Sequence, residues 1–463
     1  MTAETGTVRT AGTDAPGIMS GIYLWITIGA CALVFLGAFE SLAVTTVMPV
    51  VSAELGGQRL YALAFAGPLA TGVVGMVAAG NWADRRGPTA PLHTAVAAFV
   101  VGLLIAGLAP SMEAFVAGRF VQGLGSGGMM VALYVVVARV YPQERHPAIF
   151  AGFAAAWVVP SLIGPTIAAV VTDVWSWHWV FLGVVVLSLA ALLMVVPALR
   201  GLSGGGDVSV PWAFGRLGWS VLAALAVLAL NLIGDIPGIG PALASAAVVV
   251  ALIAVRPLVP RGTLRARRGL PSVILVRGLV AGAFFGTQVH LPYLLTDRYA
   301  LTPTLAGLAL TGGALAWSIA STVQGRLGAR LPNTTALRFG TAFVLVGIAM
   351  VLVTAVLQAS ALVIAATWII AGAGMGLMSP RSSVLTLALS TPANQGFNSS
   401  ALTVADSFGS AMVLAVAGTL FAALATITDP FTAVFSLAGV IAAAAVILVS
   451  RVSGPRVRAE ATA

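Results

Sequence analysis

Between residues 22 and 451 the chain is a succession of apolar runs, many of them about twenty residues or longer, broken by short turns that carry Gly, Pro and Arg. A helix needs about 20 apolar residues to cross the hydrocarbon of a bilayer. Inside lipid each backbone N–H and C=O must be satisfied within the spanning structure, which leaves helices or closed barrels. The runs are continuous rather than alternating, which argues against a barrel. Only 8% of the residues are charged and 59% are hydrophobic, whereas soluble domains carry about 25% charged residues. The reading is an all-α integral membrane protein with no room for a sizeable soluble domain.

The runs fall into six, two and six. A tail, 1–21, precedes a six-helix bundle over 22–200. A linker over 201–268 holds two shorter apolar segments, near 217–234 and 240–257. A second six-helix bundle covers 269–451, and a tail, 452–463, ends the chain. That makes about fourteen transmembrane helices. Twelve spans plus a re-entrant hairpin have the same parity, and the apolarity of 217–257 favours fourteen. The net charge is +9, and every strongly basic residue is Arg. A basic soluble protein would suggest nucleic acid; here the arginines lie mostly in short loops, and no nucleic-acid partner is expected. With the N-terminus inside, nearly all of them face the cytoplasm, and little more than Arg59 and Arg298 lies outside. This follows the positive-inside rule and predicts a multi-pass protein of the cytoplasmic membrane with both termini cytoplasmic. Residues 1–20 lack a signal-peptide pattern, so the first helix is read as an uncleaved anchor. Cys31 is the single cysteine, which excludes an internal disulfide and a cysteine-based metal site.

Charges inside apolar runs single themselves out. Glu40 shares Leu24 to Val51 with no other ionisable residue but Cys31. A carboxylate at that depth costs roughly 2.5–3.5 kcal/mol on insertion scales. A use for its proton explains why such a cost is kept; a neutral acid locked by a helix contact is the alternative. Arg119 lies roughly 9 Å inside the outer end of its helix, at 1.5 Å per residue, with Gln122 one turn away. Later in the chain, Asp406 requires a basic partner, and Arg277 and Arg381 are the two available. Whether that pair is a second coupling site or a structural tie stays open. Gln288 and His290 are possible cavity residues, His290 equally a locally bonded one; Asn231 is ambiguous. Asp235 and Asp297 sit at loop ends and read as solvated.

Several motifs then fall in register with the helices. Gly80-Asn81-Trp82-Ala83-Asp84-Arg85-Arg86-Gly87 follows the second run, and Gly325-Arg326-Leu327-Gly328-Ala329-Arg330 echoes it in the later half. Arg119-Phe120-Val121-Gln122-Gly123-Leu124-Gly125 lies in the fourth. Gly152, Pro160, Gly164 and Pro165 punctuate the fifth, followed by Ala168 and Ala169. Trp177-His178-Trp179-Val180-Phe181 opens the sixth, its tryptophans read as interface anchors. Glu40 stands nine residues before Pro49. Together these resemble the major facilitator superfamily, and within it the fourteen-helix drug:proton antiporters. Pro88 and Thr89 replace the last basic pair of the loop signature, His178 replaces an Arg, and Glu40 replaces an Asp.

The resemblance implies a major facilitator fold of two six-helix bundles plus two central helices. It implies a gating role for Gly80, Asp84, Arg85 and Gly87, an antiporter element at Gly152, Pro160, Gly164 and Pro165, and proton coupling at Glu40, Arg119 and Asp406. For Arg119 a structural Arg bonded to carbonyls is the competing reading. The expected function is efflux of a hydrophobic or amphipathic small molecule in exchange for protons. An alternative on the same fold is export of a lipid or a cell-made metabolite. No enzyme activity is expected, because no hydrolytic triad or metal constellation stands out; a non-transporting receptor would carry an appended domain. No phosphate loop is present, so no cofactor is expected beyond the proton as coupling ion. The expected partners are the substrate and membrane lipid, with the protein acting as a monomer.

Overall fold

The computed structural model describes residues 17–21, 23–56, 60–200, 207–233, 240–301, 303–424 and 429–453. Arg59, Asp235 and the greater part of both tails lie outside them, as does the side chain of Asn231. Six helices form the first half: α1 (Leu24–Glu54), α2 (Tyr61–Arg86), α3 (Thr89–Gly107), α4 (Met112–Val140), α5 (His146–Val174) and α6 (His178–Leu199). Two follow, α7 (Phe214–Ile233) and α8 (Gly240–Val255). The second half comprises α9 (Leu270–Asp297), α10 (Pro303–Leu327), α11 (Asn333–Val356), α12 (Ala361–Ala388), α13 (Gln395–Leu424) and α14 (Pro430–Leu448). No strand occurs among the described residues. Twelve of these helices are long and apolar enough to cross a membrane. The apolar stretches of the other two, Phe214–Leu230 and Ala242–Leu258, fall short of span length, so among the described residues twelve helices reach that length.

The two halves repeat one packing scheme. In the first, α4 crosses α2 so closely that a Cβ on Gly127 would stand 2.1 Å from the Gly72 carbonyl. In the second, α12 crosses α10 with the same 2.1 Å between a Cβ on Gly372 and the Gly313 carbonyl. Without a hydrophobic driving force between helices in lipid, such small-residue crossings supply the contact area. Each half then buries its own core, around Leu33, Phe99 and Phe181 in one and Phe284, Trp368 and Phe435 in the other. The α7–α8 hairpin packs outside the seam between α2 and α13. Its Ala223, Val227, Ala251 and Val255 meet Val73 and Val77 of α2 and Ala401, Val404 and Phe408 of α13.

Helix ends show how single residues place elements. Gly87 ends α2 at φ +81, a conformation open to Gly at little cost. Trp177 corrects a sequence expectation: it is 1% exposed, packed edge-on against Phe115 and Phe181, and its indole N–H donates to Glu54 Oε2 at 2.9 Å. It ties the start of α6 to the end of α1 instead of anchoring at an interface, because its polar edge finds a protein acceptor. Trp179 and Trp175, by contrast, are exposed.

At the start of α14, Asp429 caps the helix through Phe431 and Thr432 N–H. It also accepts from Arg298, whose guanidinium lies 2.6 Å away. Burial works against the charged acid, but the Thr432 hydroxyl and Arg298 outweigh it and hold Asp429 below the ordinary aspartate range. A depressed acid stabilises the fold above its unfolded pKa, and that contribution is lost as pH falls through the folded value. Asp429→Ala is expected to cost about 1–2 kcal/mol, the usual range for a lost cap. Thermal unfolding in detergent at pH 7 checks this, and the deficit should shrink below about pH 4.

The end of the bundle where α2 stops and α3, α5 and α9 begin carries most of the described arginines and is called the basic end below. The halves meet there along two seams. On one, α2 crosses α13; on the other, Gly325 of α10 sits where a Cβ would be 2.9 Å from Ala151 of α5. Gln324 adds a bond to the Pro147 carbonyl at 3.5 Å.

Candidate functional site

Glu40 lies in mid-α1, 4% exposed, and the structure brings it to Arg119 of α4. Arg119 Nη1 donates to Glu40 Oε1 and to Gln122 Oε1 at 2.6 Å. Its Nε donates to the Ala64 carbonyl of α2 at 3.1 Å. Arg119 and Gln122 fall on one face of α4 because three residues make nearly one turn. Three helices of the first half therefore hold one fully buried acid–base pair, whose members stand 79 positions apart in the chain. Removing either partner would leave a buried charge uncompensated, worth about 3–5 kcal/mol in comparable sites.

A second pair sits in the other half. Arg277 of α9 grips both carboxylate oxygens of Asp406 on α13, at 2.6 and 3.1 Å. The remaining guanidinium nitrogen donates to Ser379 and, at 3.3 Å, to Ser382 on α12. Asp406 keeps 29% of its side chain exposed. The choice left open by the sequence is thereby decided for Arg277. Arg381 has a different environment. Its Nε reaches Gln324 Oε1 at 2.6 Å, and its Nη2 reaches the carbonyls of Gln324 and Gly328 at 2.7 and 2.8 Å. Nη1 takes Asn333 Oδ1 at 3.0 Å. A cation on the exposed carbonyls of a helix C-terminus is stabilised by the helix dipole, so Arg381 closes the end of α10 without a carboxylate.

At the basic end, the Asp84 carboxylate accepts from the first backbone amides of α13, Gly396 N at 2.5 Å and Phe397 N at 2.7 Å. It is 2% exposed, an anion on a helix N-terminus. Gly80 is where α2 meets α13: a Cβ on Gly396 would lie 2.0 Å from the Gly80 carbonyl. Arg139 of α4 reaches Gln395 Oε1 at 2.9 Å and the Pro392 carbonyl at 2.8 Å. Arg85 turns instead to the linker, donating to the Val210 carbonyl at 2.6 Å with its guanidinium 5.4 Å above the Trp212 ring. Asn81 pairs with the same strap through the Pro211 carbonyl and Ala213 N. Nothing in the sequence pointed to the contacts of Arg85 and Asn81 with the linker, which link positions more than 100 residues apart.

In α5, Gly152 faces Cys31 and Gly164 faces Phe39, so this helix lies against α1. Pro160 and Pro165 are inside the helix, Pro160 being buried. On α9, Gln288 and His290 are half-buried, and the His290 ring bonds the Gly286 carbonyl one turn back at 2.8 Å. Sequence reasoning missed the serines around Arg277. Ser379 and Ser382, on either side of Arg381 in α12, were the available signal. Among the described residues no group of His, Cys, Asp and Glu is arranged to hold a metal ion.

The arrangement supplies one buried and one partly exposed acid–base pair and a closed seam between two bundles. In comparisons with known proteins, the Major Facilitator Superfamily profile matches residues 30–411. A probable multidrug-efflux transporter of Mycobacterium tuberculosis is 27% identical over 418 residues, 86% of this chain and 87% of that one. The methylenomycin A resistance protein of Streptomyces coelicolor is 29% identical over 359 residues, 74% of each chain. Among solved structures, a bacterial homologue of the iron transporter ferroportin in the outward-facing state superposes with a TM-score of 0.68 at 14% identity, covering 92% of this chain and 98% of that one.

Proposed function

Because this chain belongs to the Major Facilitator Superfamily, we propose that it exports hydrophobic or amphipathic small molecules in exchange for protons. The observation that carries this reading is the buried Glu40–Arg119 pair. With Glu40 ionised the pair has no net charge. A proton on Glu40 leaves the Arg119 guanidinium uncompensated, and the site gains one positive charge. A bound cationic or strongly dipolar substrate is then repelled, while the proton occupies its place. Loss of the proton restores the neutral pair and the affinity. That sign favours exchange over co-transport for a cation. The multidrug-efflux and resistance names of the relatives support the same direction.

The two bundles rock about the seam. The basic end faces the cytoplasm by the positive-inside rule, so closure there corresponds to the outward-facing state. In this reading Asp84, Arg85 and the glycines at Gly80 and Gly87 are the gate, and Gly152, Pro160, Gly164 and Pro165 let α5 slide on α1. Asp406 with Arg277 is a second proton site. The α7–α8 hairpin makes two further crossings, giving fourteen, with both termini in the cytoplasm. The protein works as a monomer in the cytoplasmic membrane, the proton its coupling ion.

Reconstitution in liposomes under an imposed pH gradient tests this. A panel of cationic dyes, neutral drugs and lipids should show gradient-driven flux of amphipathic compounds, strongest for cations. Flux that ignores the gradient for every compound would overturn exchange, and flux of lipid alone would move the task to lipid export.

A further inference from the structure

We propose that the loop between α8 and α9 is a binding site for the phosphate groups of anionic phospholipids in the leaflet at the basic end. The lipid in question stays bound, and the site does not depend on the transport reading above.

Residues 256–268 contain Arg256, Arg261, Arg265, Arg267 and Arg268 and no acidic residue. All five arginines are exposed. Among the described residues none of their guanidinium groups has a hydrogen-bond or ion-pair partner. Orienting the chain in the membrane requires only that such charges be present. This loop has, in addition, a fixed shape. Gly262 stands at φ +92, and its carbonyl accepts from the N–H groups of Arg265 and Arg267, both at 3.1 Å. Ala266 is held at φ +48, a left-handed conformation that is uncommon for a residue with a Cβ. Its N–H donates to the Thr263 carbonyl at 2.9 Å.

Both ends of the loop are fastened. The buried hydroxyls of Thr263 and Ser272 donate to the Pro260 and Arg267 carbonyls, each at 2.7 Å. Arg451, just past α14, donates to the Ala266 carbonyl at 3.4 Å and accepts from Gly269 N–H at 2.9 Å. The stem of Arg267 lies over Gly262, where a Cβ would stand 2.4 Å from the Arg267 Cδ. Leu258, Val259, Thr263 and Ala266 are buried, so the arginines share the outer surface with Leu264, which is 46% exposed.

A guanidinium presents a planar fork of donors that matches phosphate oxygens. Several held on one short, folded loop without a carboxylate attract a layer of phosphates. The loop joins the ends of two helices of the membrane bundle, which sets it at the depth of the headgroups. An exposed leucine among the cations suits the boundary between headgroups and acyl chains. Position and that apolar member together select lipid over a soluble anion.

The test uses the full chain purified in a neutral detergent. It is titrated with phosphatidylglycerol or phosphatidylcholine, and bound lipid is counted by native mass spectrometry. Wild type should retain phosphatidylglycerol in preference. Arg265→Gln, Arg267→Gln and Arg268→Gln combined should lower its apparent affinity at least about tenfold, since each basic residue near an anionic surface contributes about fivefold. Arg326→Gln, Arg330→Gln and Arg338→Gln combined remove as many exposed charges from the same end. That control should stay within about twofold of wild type, because distant exposed charges are screened. Gly262→Ala keeps every charge and displaces the Arg267 stem. It should also weaken binding, and it carries the test if the first triple variant does not fold. Inorganic phosphate at matched ionic strength should not displace the lipid. Equal retention of the two lipids, equal losses in the two triple variants, unchanged affinity in Gly262→Ala, or displacement by inorganic phosphate would each overturn the proposal.

Discussion

Glu40→Gln is expected to abolish pH-gradient-driven transport, by at least about tenfold, while leaving the protein folded. The amide keeps an oxygen for Arg119 Nη1, so the bonds to Gln122 and Ala64 persist. What disappears is the negative charge. The site is then fixed in the +1 state that a proton produces in the wild type. A unit charge about 4 Å from a bound cation is worth roughly 4 kcal/mol at an effective dielectric of 20. Even a quarter of that would lower affinity about fivefold. The loss should therefore be largest for cations and smaller for neutral amphipaths. Substrate binding to purified protein at several pH values, alongside liposome flux, makes the comparison. Wild-type flux and an unchanged pH dependence in the variant would remove Glu40 from the mechanism.

Gly396→Val should stop turnover at a different point. A Cβ there would lie 2.0 Å from the Gly80 carbonyl and 2.9 Å from an Asp84 oxygen. The first obstacle is backbone on a packed helix, so α2 and α13 must separate. With them go the bonds from Gly396 and Phe397 N–H to Asp84, and the basic end cannot close. Transport should fall more than about tenfold, because overpacking of even a few methyl groups costs about 1–3 kcal/mol and here opposes one state alone. Substrate binding from the basic side should survive. A cysteine placed at Ser400, which is buried beside Gly80 in the closed state, should become reactive from the basic side in a Cys31→Ser background. An unreactive cysteine with normal flux would show that this crossing is not the gate.

These two residues differ in how readable they were. Glu40 announces itself, because a carboxylate in an apolar run carries a cost that depends on depth alone. Gly80 and Asp84 were recognisable as a loop signature. Gly396 was not singled out: a glycine near the start of a helix has many uses, and only the partner helix shows that no Cβ fits. Trp177 was misread for the same reason. Its composition suits an interface, and its burial depends on where Phe115, Phe181 and Glu54 end up. Asp406 was found, and its partner was narrowed to two arginines that only packing could separate.

The membrane environment makes part of the answer one-dimensional. Apolar run length, arginine asymmetry and the depth of a charge are all local or additive along the chain. From them alone follow an all-helical membrane protein, two similar halves and a short set of costly ionisable residues. Which charges meet is a matter of helix rotation and tilt, and these are set by side-chain contacts between helices far apart in sequence. Glu40 finds Arg119 across 79 positions and Asp406 finds Arg277 across 129. Arg381 settles on the carbonyls of α10, and the linker straps onto Arg85. No pattern within a single helix specifies those encounters; the packed bundle alone brings them about.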